Sequence, residues 1–193
     1  MLGLQLPTDP RWAALARGNL KALLNDHAHC EQKAASNAMN LIVAYPEHNE
    51  LVRTMTEIAQ EEMVHFGQVH ALMVARGWVL GPQRKDDYVN ELMLFMRKGR
   101  DRETTLLERL LFAAMIEARS CERFKMLSET LDDTELSTFY YDLMASEARH
   151  YVTFLDLARK LCPSHDVDAR WDEWLAYEAN IMKRYSASER IHG

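Results

Sequence analysis

Proline and glycine are scarce in this chain, five and seven residues of 193. Both interrupt regular structure, so their scarcity removes most of the breaks that a loop-rich or many-stranded domain needs. Alternating Val/Ile/Thr runs are absent as well, which argues against half-buried strands. Cysteine is limited to Cys30, Cys121 and Cys162, odd in number and widely spaced. That excludes a disulfide framework and points to free thiols in a reducing compartment. No stretch approaches the roughly 20 apolar residues that a membrane span requires. The opening MLGLQLPTDPRW has no basic segment followed by an apolar core, so it does not read as a signal peptide, and a cytoplasmic location is expected. Basic residues are outnumbered 23 to 29 by acidic ones, giving a net charge of −6 and a pI of about 5.8. Taken alone, this disfavours a nucleic-acid partner.

What is abundant favours helices: Ala, Leu, Met, Glu and Arg. Hydrophobic residues make up 48% and charged residues 27%, as in a soluble globular domain, and one domain over residues 1–193 is expected. Pro10 suits the first turn of a short N-terminal helix. Long helical patterns follow at about 18–45, stopped by Pro46, and 47–77, stopped by Gly77. Two more lie at about 103–129 and 132–161. The connection 78–102 holds one short helix near Asp86–Met96. A last amphipathic helix covers Asp168–Tyr185, with Trp171, Trp174 and Tyr177 inward. The expected fold is all-α: two long hairpins joined by a longer crossover, a four-helix bundle with additional N- and C-terminal helices. The eleven methionines are read as bundle core.

The stretch EEMVHFGQVH places Glu62 three residues before His65. On a helix, that spacing is about 60° of rotation and about 4.5 Å of rise, so both side chains leave one face. In a Glu-rich chain a single such pair is most simply a solvated one. A second copy changes the weighting. In SEARHY, Glu147 and His150 repeat the spacing, displaced by 85 positions from the first pair. Glu50-Leu51 and Glu135-Leu136 keep the same displacement. Each motif also has a glutamate 30 or 31 residues upstream, Glu117 in MIEARS and Glu31 in HCEQKA, set among small and apolar residues. An inward carboxylate costs several kcal/mol unless it is paired or ligates an ion.

Four glutamates and two histidines thus form a duplicated E…E-x-x-H, an arrangement known from dimetal carboxylate helix bundles. Six oxygen and nitrogen donors without a thiolate suit iron or manganese. One terminal Glu and one His per ion are expected, with Glu62 and Glu147 as bridges. Glu61 and Ser146 hold equivalent positions beside the motifs, and Arg149 and Tyr151 flank His150. The oxygen that each histidine's second nitrogen meets is not fixed by sequence.

The segments NDHAHCEQKAASNAMNL, EEMVHF, EARSCERF and SEARHYVTF resemble the bacterial tRNA hydroxylases of the ferritin-like superfamily, over roughly residues 10–185. The paired motif carries only the superfamily; DHAHCEQKAA and ARSCERF carry the family. The resemblance implies that Glu31, Glu62, His65, Glu117, Glu147 and His150 hold two irons. It implies O2-dependent hydroxylation of the isopentenyl group of 2-methylthio-isopentenyl-adenosine beside the anticodon of tRNA. Two electrons are then needed from a separate reductase, because no flavin or iron–sulfur motif is present. Ala34, Ala38, Cys121 and Phe124, one or two turns from ligands, are candidates for an apolar lining, with plain core packing as the simpler account.

A tRNA partner requires a local answer to the acidic net charge. Residues 76–102 hold Arg76, Arg84, Lys85, Arg97, Lys98, Arg100 and Arg102 against Asp86, Asp87, Glu91 and Asp101, a balance of +3. RKGRDR is therefore a candidate phosphate-contacting edge, with a solvated loop as the alternative. Other functions compatible with the motif are a different hydroxylase, a peroxidase, a manganese catalase, iron storage, or a radical-generating subunit using Tyr140, Tyr141 or Tyr151.

Overall fold

A computed structural model describes residues 2–99, 101–184 and 191. Among these, seven helices and no strand occur: α1 Arg11–Gly18, α2 Leu20–Ala44, α3 Asn49–Ala75, α4 Asp87–Phe95, α5 Arg102–Thr130, α6 Thr134–Leu161 and α7 Val167–Met182. All seven expected elements are present. The last helix ends at Met182 rather than at Tyr185, which lies outside the described residues.

Local chemistry fixes the boundaries. Asn19, Asp86, Asp101, Asp133 and Asp166 each accept a hydrogen bond from the backbone N–H three residues on, starting α2, α4, α5, α6 and α7. Helix α3 begins two residues later than the 47 expected, because Pro46, Glu47 and His48 form a turn closed by His48 N–H to the Tyr45 carbonyl. It stops where expected. Gly77 takes φ +69°, Trp78 N–H reaches the Met73 carbonyl, and Gly77 N–H reaches that of Val74. This is the paired capping pattern that a left-handed residue permits, and glycine adopts that conformation without strain.

The chain forms two compact units. One, Gly18–Lys85, is the α2–α3 hairpin with the segment that follows it. Helix α3 buries Leu51, Met55, Ile58, Glu62, His65, Val69 and Met73, a spacing of three and four that defines one inward stripe. Segment 78–85 runs along α2. Asn25 Oδ1 accepts from Gly81 N–H at 2.6 Å, and a His29 ring nitrogen meets the Gly81 carbonyl at 2.9 Å.

The other unit joins Met1–Arg17 to Asp86–Gly193. Helix α5 packs on α6, and α7 packs on α4 and α5. Its interior is unusually ionic. Arg119, fully buried, donates to Glu178 Oε1 through Nε at 2.9 Å and Nη2 at 2.6 Å, to Thr8 Oγ1 at 3.1 Å and to the Leu6 carbonyl at 3.0 Å, and also pairs with Glu122. Tyr88 OH donates to the same Glu178 oxygen at 3.0 Å. Arg170 grips both oxygens of the buried Glu108 at 2.8 and 2.9 Å and lies over the Phe95 ring. These pairs tie the N-terminal segment, α4 and α7 to α5. Trp171 and Trp174 are buried as expected, and Tyr177 is half-buried with its hydroxyl on the Glu91 carbonyl.

Candidate metal centre

In the α2–α3 hairpin, Glu31 stands in a buried row of α2 with Leu24, Ala28, Ala35, Ala38 and Leu41. Glu62 and His65 stand in the α3 row, where a purely structural helix would carry leucine. All three are at least nine-tenths buried. Their donor atoms lie within 4.8 Å of one another. His65 Nδ1 is 3.5 Å from Glu31 Oε2 and 3.3 Å from Glu62 Oε2. Burial and the neighbouring Glu62 charge push the Glu31 carboxyl well above the usual range. Burial pulls the His65 ring down, but hydrogen bonds to and the charges of Glu31 and Glu62 outweigh it and push the ring up to about 10. Two acids and an imidazole converging in a dry interior call for a proton or a cation among them, and the donors suit a divalent ion.

In the other unit, Glu117 of α5 and Glu147 and His150 of α6 make the matching triad, again buried and within 4.8 Å of one another. The six residues expected from sequence are therefore brought together as two Glu2His clusters, one in each hairpin. A buried carboxylate–histidine site able to take metal is present.

The flanking residues diverge between the halves. Glu61 is partly exposed, with Oε1 at 3.9 Å from His65 Nε2. Its counterpart Ser146 is buried and accepts from Arg149 Nη2 at 3.2 Å. Tyr151 packs on Trp171 at 5.8 Å, Tyr140 is buried against Phe124 at 5.3 Å, and Tyr141 is exposed. Ala38, Cys121 and Phe124 are buried and Ala34 half-buried; Cys121 Sγ donates to the Met144 carbonyl.

One neighbour of a ligand escaped the sequence reading. His27 is fully buried, and its Nε2 lies 2.7 Å from Glu31 Oε1. Burial and the nearby His65 charge push this ring down to about 3, so it is neutral. The i,i+4 spacing of His27 and Glu31 was the available signal.

The basic segment is less open than its sequence suggests. Arg76 Nη1 donates to the Leu72 carbonyl, Arg84 Nη2 donates to the Ala22 carbonyl at 3.5 Å and lies 3.9 Å from Asp26, and Arg97 donates to Glu173 at 3.0 Å. Lys85, Lys98 and Arg102 are exposed, and Arg100 lies outside the described residues.

Comparison with known proteins agrees with this geometry. A chain from Synechococcus described as "Protein 43 with aldehyde deformylating oxygenase activity" superposes with a TM-score of 0.91 at 34% identity, covering 98% of this chain and 95% of that one. The fold is the all-α, ferritin-like four-helix bundle with additional terminal helices. Residues 2–193 match the family model described as tRNA-(MS[2]IO[6]A)-hydroxylase (MiaE), and the chain belongs to that family of enzymes. Two relatives are named tRNA 2-(methylsulfanyl)-N(6)-isopentenyladenosine(37) hydroxylase. The one from Pseudomonas putida is 42% identical, covering 96% of this chain and 89% of its own length. The one from Salmonella typhimurium is 30% identical, covering 98% and 87%.

Proposed function

We propose that this chain hydroxylates the isopentenyl group of 2-methylthio-isopentenyl-adenosine next to the anticodon in tRNA, as an O2-dependent di-iron monooxygenase. The observation that carries it is the pair of buried Glu2His triads in a chain of this hydroxylase family. On this reading Glu31, Glu62, His65, Glu117, Glu147 and His150 are the ligands, Glu62 and Glu147 bridge the two ions, and residues 1–193 work as one domain. Four carboxylates balance two divalent ions, so the loaded centre carries no net charge into a low-dielectric interior. An unactivated C–H bond is beyond side-chain acid–base chemistry, and the redox-active pair supplies the oxidising capacity when bound.

The protein's own part is to hold the donors, exclude water and seat an apolar tail. Ala34, Ala38, Cys121 and Phe124 are the residues proposed to face it. A separate reductase supplies two electrons. The enzyme works in the cytoplasm, where its substrate is; none of the described helices is long and apolar enough to cross a membrane.

Nucleoside mass spectrometry of tRNA from cells with and without this chain tests the reading. Loss of one oxygen from the methylthio-isopentenyl nucleoside on deletion is expected, and an unchanged profile would reject it.

A further inference from the structure

Aligning α2 on α5 with Glu31 on Glu117 brings buried residues onto buried residues along the whole stripe. Leu24, Ala28, Ala35, Ala38 and Leu41 match Leu110, Ala114, Cys121, Phe124 and Leu127. One matched position differs in kind. Four residues before the glutamate, α2 carries His27 and α5 carries Ala113, both buried. His27 Nε2 meets Glu31 Oε1 at 2.7 Å, while Glu31 Oε2 lies 3.5 Å from His65 Nδ1. The carboxylate is thus divided: one oxygen faces the imidazole of α2, the other faces the cluster. Once Glu31 is ionised to hold an ion its oxygen can only accept, so at this separation Nε2 must then carry the hydrogen.

We infer that His27 is a positioning residue of the metal centre. By holding Glu31 Oε1 it leaves Oε2 as the oxygen offered to an ion. The inference rests on the dimetal reading above. Its consequence is tighter binding of the ion that Glu31 and His65 would hold. The half containing Glu31 and His65 has a ligand fixed in orientation before the ion arrives, and fixing a ligand through an outer hydrogen bond is worth about 10–100-fold in affinity.

The full chain, stripped with a chelator, is titrated with cobalt(II) by calorimetry and visible absorption, as wild type, His27→Gln and His27→Leu. Gln retains an N–H donor at similar reach; Leu keeps bulk without one. Wild type is expected to bind two ions. His27→Leu is expected to weaken one step by about 10–100-fold and shift the cobalt ligand-field bands. His27→Gln should stay close to wild type. Equal weakening by both variants would make His27 a packing residue and overturn the inference, as would wild-type constants and spectra in His27→Leu.

A measurement on the wild type does not depend on how any variant folds. Long-range 1H–15N correlation of the zinc-loaded protein should show His27 as the Nε2–H tautomer, and an Nδ1–H tautomer would overturn the inference. A wild-type chain that takes up no cobalt would instead defeat the dimetal reading.

Discussion

In the first hairpin α3 buries Leu51, Met55, Ile58, Glu62, His65, Val69 and Met73; in the second α6 buries Leu136, Tyr140, Leu143, Glu147, His150, Phe154 and Ala158. Every member of the second set lies 85 positions after its partner in the first. The inward stripes are therefore one design used twice, with the proposed ligands occupying two consecutive positions of an otherwise apolar row. The outer faces are not alike. Helix α2 exposes Met39 and Val43, whereas α5 also buries Glu108, Arg119 and Arg123 behind its ligand face. The difference teaches that the ligand stripe is separable from the way each hairpin is covered. It also sets apart two kinds of buried charge: carboxylates clustered with histidine, and carboxylates matched to arginine.

The strongest test of equivalence removes one matched carboxylate at a time. Glu62→Ala and Glu147→Ala are each expected to abolish turnover and retention of the metal pair, measured by elemental analysis after gel filtration. Retention of two ions per chain by either variant would mean that the bridging role is misassigned. If only one variant lost both ions, the halves would be unequal bridges and the internal repeat would overstate their likeness.

Next in size is a change confined to the second hairpin's outer face. Arg119→Met leaves Glu178 buried without its guanidinium partner, and breaking a buried pair from one side costs about 3–5 kcal/mol. Urea denaturation should show that loss. Adding Glu178→Leu should recover much of it, because removing both partners of a buried pair is far less costly than removing one. No recovery would mean that the Arg119 contacts to Thr8 and Leu6, not the ion pair, carry the stability.

These two variants also separate what was legible in sequence from what was not. The clustered carboxylates and histidines could be read because helix geometry makes Glu62–His65 and Glu147–His150 local patterns, and the repeat supplied a second witness. Helix ends were legible to within a few residues wherever Pro, Gly or a capping Asp stood, as at Gly77 and Asp133. Arg119 and Glu178 are 59 positions apart, and Arg170 and Glu108 are 62 apart. No local period marks such pairs, so α5 reads as a one-sided amphipathic helix until α4 and α7 are known to cover its other face. Nothing local in the basic stretch marks which of its cations are paired within the fold. Arg97 proves to be held by Glu173.

A smaller effect follows from protons at the first triad. The His65 ring, pushed up to about 10, holds a proton near neutral pH before metal arrives. An ion must displace it, so loading releases protons and apparent affinity rises with pH, by up to about tenfold per pH unit for each proton released. Calorimetric titration of cobalt(II) in buffers of different ionisation enthalpy counts those protons. Zero release at pH 7 would show that the cluster is already deprotonated and that its carboxylates are better solvated than their burial implies.

The smallest expected change lies outside both stripes. An acidic chain acting on tRNA needs its cations placed where phosphates pass, and residues 76–102 are a net-basic stretch in sequence. Arg76, Arg84 and Arg97 are engaged within their own units, which shifts the weight to the exposed Lys98. Lys98→Glu should weaken tRNA binding about uniformly across sequences and reduce the slope of log affinity against log salt by about one or two. Arg97→Glu tests the contrast, because it breaks the contact with Glu173 as well as removing a cation. It should therefore lower stability in addition to binding, whereas Lys98→Glu should leave the urea midpoint unchanged. Filter binding of tRNA over a salt series reads both. An unchanged slope for Lys98→Glu would remove this loop from the tRNA footprint and leave the exposed cations of the helices to account for it.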